Sequence, residues 1–183
     1  MVRQVRGVLF LDYVRMVRRQ KGVDWSEHLA SEDLPYLATT IDPVAWYPMA
    51  TFERLGNAIL RVVAKGDLLP VRLWGRYSAD QLRADKPSLV APGDPIETLN
   101  RFRVLRSTYF DFDALEVLML HDGAAEIAVA YFMGMPAEEA ASYQTMGFFE
   151  RQLELAGAKN VDARFRLRSW AGDGRTVLAL RWE

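Results

Sequence analysis

Two arginines fall where the sequence predicts an apolar helix face. The segment Pro95–Ser107 is predicted to be a helix, and Leu99 and Phe102 share one side of it when residues are placed at the helical period. Arg103 and Arg106 fall within the same arc. Because burying an unpaired charge costs several kcal/mol, guanidinium groups at these positions need a partner or a route to solvent.

Two explanations are open for these arginines. In the first, their side chains reach water along the helix margin or pair with Asp111 or Asp113. In the second, they are the polar donors of an otherwise apolar pocket and bind a carboxylate or phosphate in bidentate geometry. The first is the ordinary outcome for charged residues at a helix margin. The second would give the protein a function.

The remaining inventory of catalytic residues is small. The sequence has no cysteine, which excludes disulfides, thiolate–zinc sites and cysteine nucleophiles. His28 and His121 stand alone without metal-ligand spacing, and no phosphate-binding or nucleophile-elbow motif occurs. We therefore predict no enzyme, no cofactor and no metal site.

Two short charge patterns have ordinary structural explanations as well as functional ones. Asp111 and Asp113 alternate with phenylalanines and have the spacing to share a cation, or to lie on a solvated strand edge. Arg164, Arg166 and Arg168 form a positive stripe along one predicted strand, suited to phosphates or an acidic partner. Charge on the solvent side of a strand also protects a sheet edge, and we favour that explanation.

Composition limits the class of protein. The chain has 183 residues, half of them hydrophobic, which is enough for one domain spanning residues 1–183 with its own core. The formal net charge of -1 argues against a nucleic-acid binder. No apolar run has the roughly 20 residues that span a bilayer, and charges follow the first apolar run too soon for a signal peptide. We expect a cytoplasmic location and no membrane span.

Hydrophobic periodicity predicts an α+β fold, with helices packed on an antiparallel sheet of about four strands. A helix in the second half separates two hairpins, one around Asp122-Gly123 and one around Ala171–Gly174. Both faces of the first hairpin are apolar, which indicates cover by helices or by a partner chain. Phe52, Leu55 and Ile59 lie on the apolar stripe of a second helix. The predicted helices are Val8–Gln20, a short turn capped by Asp24, Met49–Lys65, Leu69–Tyr77, Pro95–Ser107 and Pro136–Gly157, with a loop over Ser78–Asp94.

The C-terminal pattern resembles a known family. It consists of Gly147-Phe148-Phe149-Glu150, Leu153-Glu154, Gly157 and Val177–Trp182, and it resembles the end of the small-ligand domain named after 4-vinyl reductase. The earlier layout has Tyr47-Pro48 at a helix start and a helix end near Gly75-Arg76. This layout is similar to a relative of that domain, the haem nitric-oxide-binding domain, of a superfamily that also includes subunits of Golgi transport tethering complexes. Length and the closing Arg-Trp resemble a paralogous family of unknown function that is expanded in myxobacteria.

The resemblance implies a ligand pocket between helices and sheet. Haem relatives hold the iron through a histidine in a Leu-x-x-Leu-His pattern, and the matching segment Leu99–Arg103 places Arg103 at the position of the ligand. Arginine stays protonated and cannot coordinate iron. The cysteines that often mark the final hairpin of 4-vinyl-reductase-type domains are also absent.

We therefore predict a bacterial, non-enzymatic small-molecule-binding or sensory domain without His-ligated haem. Its ligand would be apolar or amphipathic with an anionic end. A homodimer or a signalling protein partner is also compatible with the pattern. The alternative is an interaction or scaffold module that dimerises or docks through the apolar hairpin. The predicted ligand-binding residues are Arg103, Arg106, Leu99, Phe102, Phe52, Leu55, Ile59 and Phe148.

Overall fold

The chain divides into two compact units, which are described separately. A computed structural model describes residues 2–183. The first unit comprises Met1–Asp67 and Ser107–Phe112, and the second comprises Leu68–Arg106 and Asp113–Glu183. The combination of helices with antiparallel sheets confirms the predicted α+β class.

The first unit is mainly helical. Its two longer helices were predicted within a few residues of their observed bounds, and Asp24 caps the short turn that follows α1, as predicted. A two-stranded antiparallel sheet was not predicted, because each strand has three residues and too little alternation to show a period of two. The elements are β1 Gln4–Arg6, α1 Gly7–Arg19, a 3-10 turn Trp25–Glu27, α2 Pro35–Ala38, β2 Trp46–Pro48 and α3 Met49–Val62.

Aromatic rings fill the core of the first unit. Phe10 of α1 stacks on Tyr47 at 4.5 Å between ring centroids, and Tyr13 stacks on Phe52 of α3 at 4.0 Å. Leu55 is fully buried in α3, one turn beyond Phe52. The apolar stripes predicted for these two helices are therefore core-facing surfaces.

The second unit contains three helices and a four-stranded antiparallel sheet in the order β3-β4-β6-β5. Both predicted hairpins are confirmed: β3 pairs with β4 across Asp122-Gly123, and β5 pairs with β6. β4 and β6 are the central strands and join the two hairpins into one sheet. The elements are α4 Leu68–Asp85, α5 Pro95–Leu105, β3 Leu115–His121, β4 Ala124–Val129, α6 Ala137–Leu155, β5 Asp162–Leu167 and β6 Thr176–Arg181.

Helix α4 is longer than the sequence indicated. The predicted helix ended at Tyr77 near the Gly-Arg pair, which is wrong, because α4 continues to Asp85. The loop predicted over Ser78–Asp94 is therefore wrong for Ser78–Asp85. Gly75 costs helix stability when it is exposed, but here it is buried against α6. One turn later Asp80 pairs with Arg151 of α6 at 2.9 Å. Packing on α6 therefore extends the helix beyond the point where local preference ends it.

Two glycines allow α4 and α6 to cross with their backbones in contact. A Cβ atom built on Gly75 would lie 1.9 Å from the carbonyl oxygen of Gln144, and one on Gly147 would lie 1.9 Å from that of Arg72. Real side chains never approach a backbone oxygen so closely, so any larger residue must push the helices apart. Glycine is required at both positions for steric reasons.

The crossing predicts that Gly147→Ala destabilises the protein by about 2 kcal/mol or more, because the added methyl group meets backbone that cannot rotate away. Urea unfolding measures this change. Gly174→Ala is the matched control, because no atom lies within 4 Å of a Cβ at that position. Equal stability of the two variants would contradict the close crossing.

Candidate ligand-binding layer between α5 and α6

Helix α5 begins at a well-formed cap. The Asp94 side chain accepts a hydrogen bond from the Glu97 backbone N–H at 2.8 Å, and Pro95 occupies the first turn. The cap fixes where the helix starts and so fixes which residues face inward. Leu99 and Phe102 are buried, with 1% and 6% of their surface exposed.

The two arginines do not share the burial of Leu99 and Phe102. Arg103 is exposed, and Arg106 is half-buried and donates a hydrogen bond to the Arg103 carbonyl oxygen. Asp111 accepts a hydrogen bond from the Gln4 backbone N–H at 2.7 Å. Arg103 therefore extends to solvent from the helix margin, as in the first of the two explanations. Binding of an anion by Arg103 and Arg106 stays a prediction.

An aromatic contact joins α5 to α6. The Phe102 ring lies 5.4 Å from Phe148 and 4.9 Å from Phe149, the latter in edge-to-face geometry. At the other end of the pair, the Gly93 N–H donates to the Ala156 carbonyl oxygen at 2.8 Å. The two helices therefore run antiparallel, and we call the buried surface between these two contacts the α5–α6 layer.

The structure brings together part of the predicted site. Leu99, Phe102 and Phe148 lie in the α5–α6 layer of the second unit. Phe52, Leu55 and Ile59 belong to the first unit, where all three are buried. Their contribution to a ligand site stays a prediction.

One polar residue of the layer was missed by the sequence analysis. Gln152 is 1% exposed, and neither its amide nitrogen nor its amide oxygen has a hydrogen-bond partner among residues 2–183. It lies on α6 one turn beyond Phe148 and Phe149 and one turn before Ala156, between the two contacts with α5. The available signal was a glutamine at helical spacing from apolar residues of the same helix. An uncharged amide is a weaker signal of a binding site than a charged group at the same position.

Two buried hydroxyl groups on the same side of α6 are hydrogen-bonded to each other. The Tyr131 and Thr145 hydroxyl oxygens lie 2.6 Å apart, and the Thr145 hydroxyl donates to the Ala141 carbonyl oxygen at 2.9 Å. Complete burial raises the pKa of Tyr131 to about 12, against the weaker opposing effect of the hydrogen bond with Thr145. The buried hydroxyl groups on this side of the helix therefore have partners, whereas the Gln152 amide does not.

The side of α6 that faces α4 carries ion pairs. Glu150, with 4% of its surface exposed, accepts hydrogen bonds from Arg72, and Arg76 pairs with Glu154 at 2.6 Å. Hydrogen bonding to Glu150 raises the pKa of Arg72, against the effect of its partial burial. Burial opposes ionisation of Glu154, but hydrogen bonds from Arg76 and Arg151 outweigh it and lower the pKa of that carboxyl group. These charges hold α4 on α6 and lie on a different side of α6 from Phe148 and Gln152.

The other candidate groups have structural environments. His28 is half-buried and His121 is exposed, and the His121 ring nitrogen lies 3.0 Å from the Asp122 carbonyl oxygen. Arg164 pairs with Asp162 on the edge strand β5. No group of three or more His, Cys, Asp or Glu side chains within residues 2–183 has the geometry to hold a metal ion. No helix in that range is long and apolar enough to cross a membrane.

Comparison with solved structures identifies the fold. A ferrous, unliganded H-NOX protein from K. algicida matches with a TM-score of 0.67 and 10% identity over 97% of this chain and 96% of that one. The nitrosyl complex of an H-NOX protein from S. oneidensis matches with a TM-score of 0.66 and 11% identity over 97% and 99%. The chain has an H-NOX-like fold. An oxygen-binding H-NOX domain related to soluble guanylate cyclases gives 0.62 and 12% over 97% and 95%.

No protein-family model matches the sequence, and no curated protein does so either. Identities of 10 to 12% in these H-NOX matches establish the fold alone. The narrower resemblances to 4-vinyl-reductase-type domains and to the myxobacterial family stay predictions.

The residues of α5 do not fit the haem of H-NOX proteins. A haem iron takes an axial His, Cys, Met or Tyr, and the α5 sequence Pro95–Leu105 contains none of the four. Arg103 takes the position that the sequence resemblance assigns to the ligand, and its exposed guanidinium group has no lone pair to donate. Helix α5 therefore supplies no axial ligand for a haem iron.

The raised pKa of Tyr131 predicts that the folded protein loses stability at alkaline pH. Its phenol keeps its proton to about pH 12 in the folded protein, above the value of 10.0 at which the free group titrates. The full stability is present below pH 10, and up to about 2 to 3 kcal/mol is lost as the pH rises through this interval. Urea unfolding at increasing pH should show a shallower decline in Tyr131→Phe than in the wild type. Tyr77→Phe, at an exposed tyrosine, should leave the decline unchanged.

Proposed function

We propose that this protein is a non-enzymatic sensory domain that binds a small apolar or amphipathic molecule without His-ligated haem. The observation that carries the proposal is the combination of an H-NOX-like fold over 97% of the chain with an α5 that lacks every common haem ligand. The S. oneidensis H-NOX protein holds nitric oxide on ferrous iron, and the domain related to soluble guanylate cyclases binds oxygen. In this chain the ligand would be held by side chains alone.

The α5–α6 layer is the part of the proposed site that lies within one unit. Leu99, Phe102 and Phe148 supply apolar and aromatic surface, the usual lining of small-molecule sites. Ligand would act as a regulator if it stabilised one arrangement of α5 on α6 more than another. The acid, base and nucleophile set of an enzyme has no counterpart among the residues of this layer.

The proposal predicts a bound small molecule and no haem. Native mass spectrometry of the purified protein should show a noncovalent adduct. After incubation with haemin and removal of unbound haemin by gel filtration, the protein fraction should lack a Soret band. Phe148→Trp should reduce the adduct because the larger ring fills the layer. Val104→Trp is the matched control, because Val104 is 79% exposed on the same helix pair. A stoichiometric Soret band, or the absence of any adduct from the wild type, would contradict the proposal.

A second candidate function is self-association through β3. This strand lies at one edge of the sheet and carries Val117, Leu118, Met119 and Leu120, all half-buried, whereas the opposite edge strand β5 carries arginines. An apolar edge strand presents backbone groups to a second strand, and arginines discourage such pairing. A second copy of this chain would be the partner.

Self-association predicts a solution mass of twice the 20.9 kDa of one chain in size-exclusion chromatography with light scattering. Leu118→Lys should shift the mass to that of one chain, because a charge on the edge opposes strand pairing. Arg164→Lys on the opposite edge should leave the mass unchanged. A wild-type protein with the mass of one chain at every concentration would exclude this function.

A further inference from the structure

The buried amide of Gln152 is a polar group whose partner is missing from the chain. Both of its polar atoms are shielded from solvent and lack a hydrogen-bond partner among residues 2–183. An amide donor and acceptor buried without partners are each strongly unfavourable, and folded proteins almost always satisfy them. A hydrogen-bonding group from outside the polypeptide would remove this cost.

The antiparallel pairing of α5 and α6 shows what lies opposite Gln152. Phe102 meets Phe148 and Phe149 on one side of it, and Gly93 meets Ala156 on the other. The residues of α5 between these contacts include Thr98 and Leu99. Both are buried. Helical spacing therefore places Gln152 on the side of α6 that carries Phe148 and Ala156 and packs on α5.

An ordered water molecule is a poor partner at this position. A buried water needs two to four polar partners. The Thr98 hydroxyl already binds the Ala91 N–H at 2.9 Å and the Asp94 carbonyl oxygen at 2.9 Å, and Thr145 is engaged with Tyr131. A water beside Gln152 would find the nearby hydroxyl groups of Thr98 and Thr145 already engaged. A molecule with an apolar body and a single polar end suits these surroundings better.

The chemistry of the amide also fixes the charge of the ligand. A primary amide offers one carbonyl acceptor and two N–H donors and carries no charge. A carboxylate placed here would lose its hydration without gaining a positive partner, since Arg103 is exposed and Arg72 is paired with Glu150. A neutral group with adjacent donor and acceptor can form two hydrogen bonds with the amide at once. A carboxamide is such a group.

We propose that Gln152 is the specificity-determining residue of a site in the α5–α6 layer that binds a small, neutral, aromatic or aliphatic carboxamide-type ligand through paired hydrogen bonds. This inference rests on the proposed small-molecule-binding function and names its polar contact. It places the polar end of the ligand at Gln152, within the layer, and the apolar body against Leu99, Phe102 and Phe148.

Three probes, benzamide, toluene and benzoate, separate the contributions of the amide group, the aromatic ring and the charge to binding. They share an aromatic ring and differ in having a neutral amide, no polar group, or a charge at neutral pH. Thermal unfolding should show benzamide raising Tm by about 3 °C at ten times its dissociation constant, with toluene giving a smaller rise and benzoate none. In a proton–nitrogen spectrum, the side-chain amide signal of Gln152, assigned by its absence from a variant, should shift on addition of benzamide.

Gln152→Leu is the decisive variant, and Gln152→Met replaces it if the branched side chain prevents folding. Either change should weaken benzamide binding at least tenfold, leave toluene binding unchanged, and raise the Tm of the unliganded protein because an unpaired buried amide is removed. Gln81→Leu is the control, because Gln81 is exposed on α4. It should change none of the three measurements.

Failure of this inference is distinguishable from failure of the proposed function. If benzamide and toluene bind equally in the wild type and in both Gln152 variants, the layer binds ligands but Gln152 does not select them. If no probe binds, no adduct is found and the Gln152 variants are less stable than the wild type, an internal water holds the amide and both proposals fail.

Discussion

The contact between the backbones of α4 and α6 at Gly75 and Gly147 is the constraint on which the second unit depends. Since no Cβ atom fits at either position, the helices lie closer than side chains would permit. Close approach brings Glu150 and Glu154 within reach of the arginines of α4, and the ion pairs then fix the rotation of α6. Such partly exposed pairs add modest stability, but they specify one orientation.

The rotation of α6 determines which of its residues pack on α4 and which pack on α5. The side toward α4 is occupied by backbone contact and paired charge. Phe148 and Phe149 are consequently turned toward Phe102 of α5, and Gln152 follows one turn later on the same side. The cap at Asp94 sets the phase of Leu99 and Phe102. The chemistry available in the layer is thus a consequence of two glycines on its far side. A change at Gly147 would alter the layer without touching any residue that lines it.

The sequence predicted those elements whose signals are local. Asp122-Gly123 and the alternation around Ala171–Gly174 gave both hairpins, and Gly157 marked the end of the last helix. Helix α4 was predicted too short, because Gly75 is unfavourable in an isolated helix and only its packing on α6 explains it. The candidate site was predicted in part for a similar reason. Helical spacing identified Leu99 and Phe102, but spacing alone places Arg103 on their side, and a long side chain decides its own exposure.

A ligand site built on a neutral amide recognises different molecules from one built on a metal ion or an arginine. A metal-bound cofactor or an arginine supplies strong, long-range attraction, which tolerates small errors of geometry. An amide in an apolar layer supplies only short-range, directional hydrogen bonds, so its selectivity rests on the penalty for leaving it unpaired. Gln152 already bears that penalty in the unliganded chain. A ligand that pairs with it, as proposed, would gain affinity by relieving that cost. If the pairing required one position of α5 on α6, the same amide would couple binding to helix position, as a sensor requires.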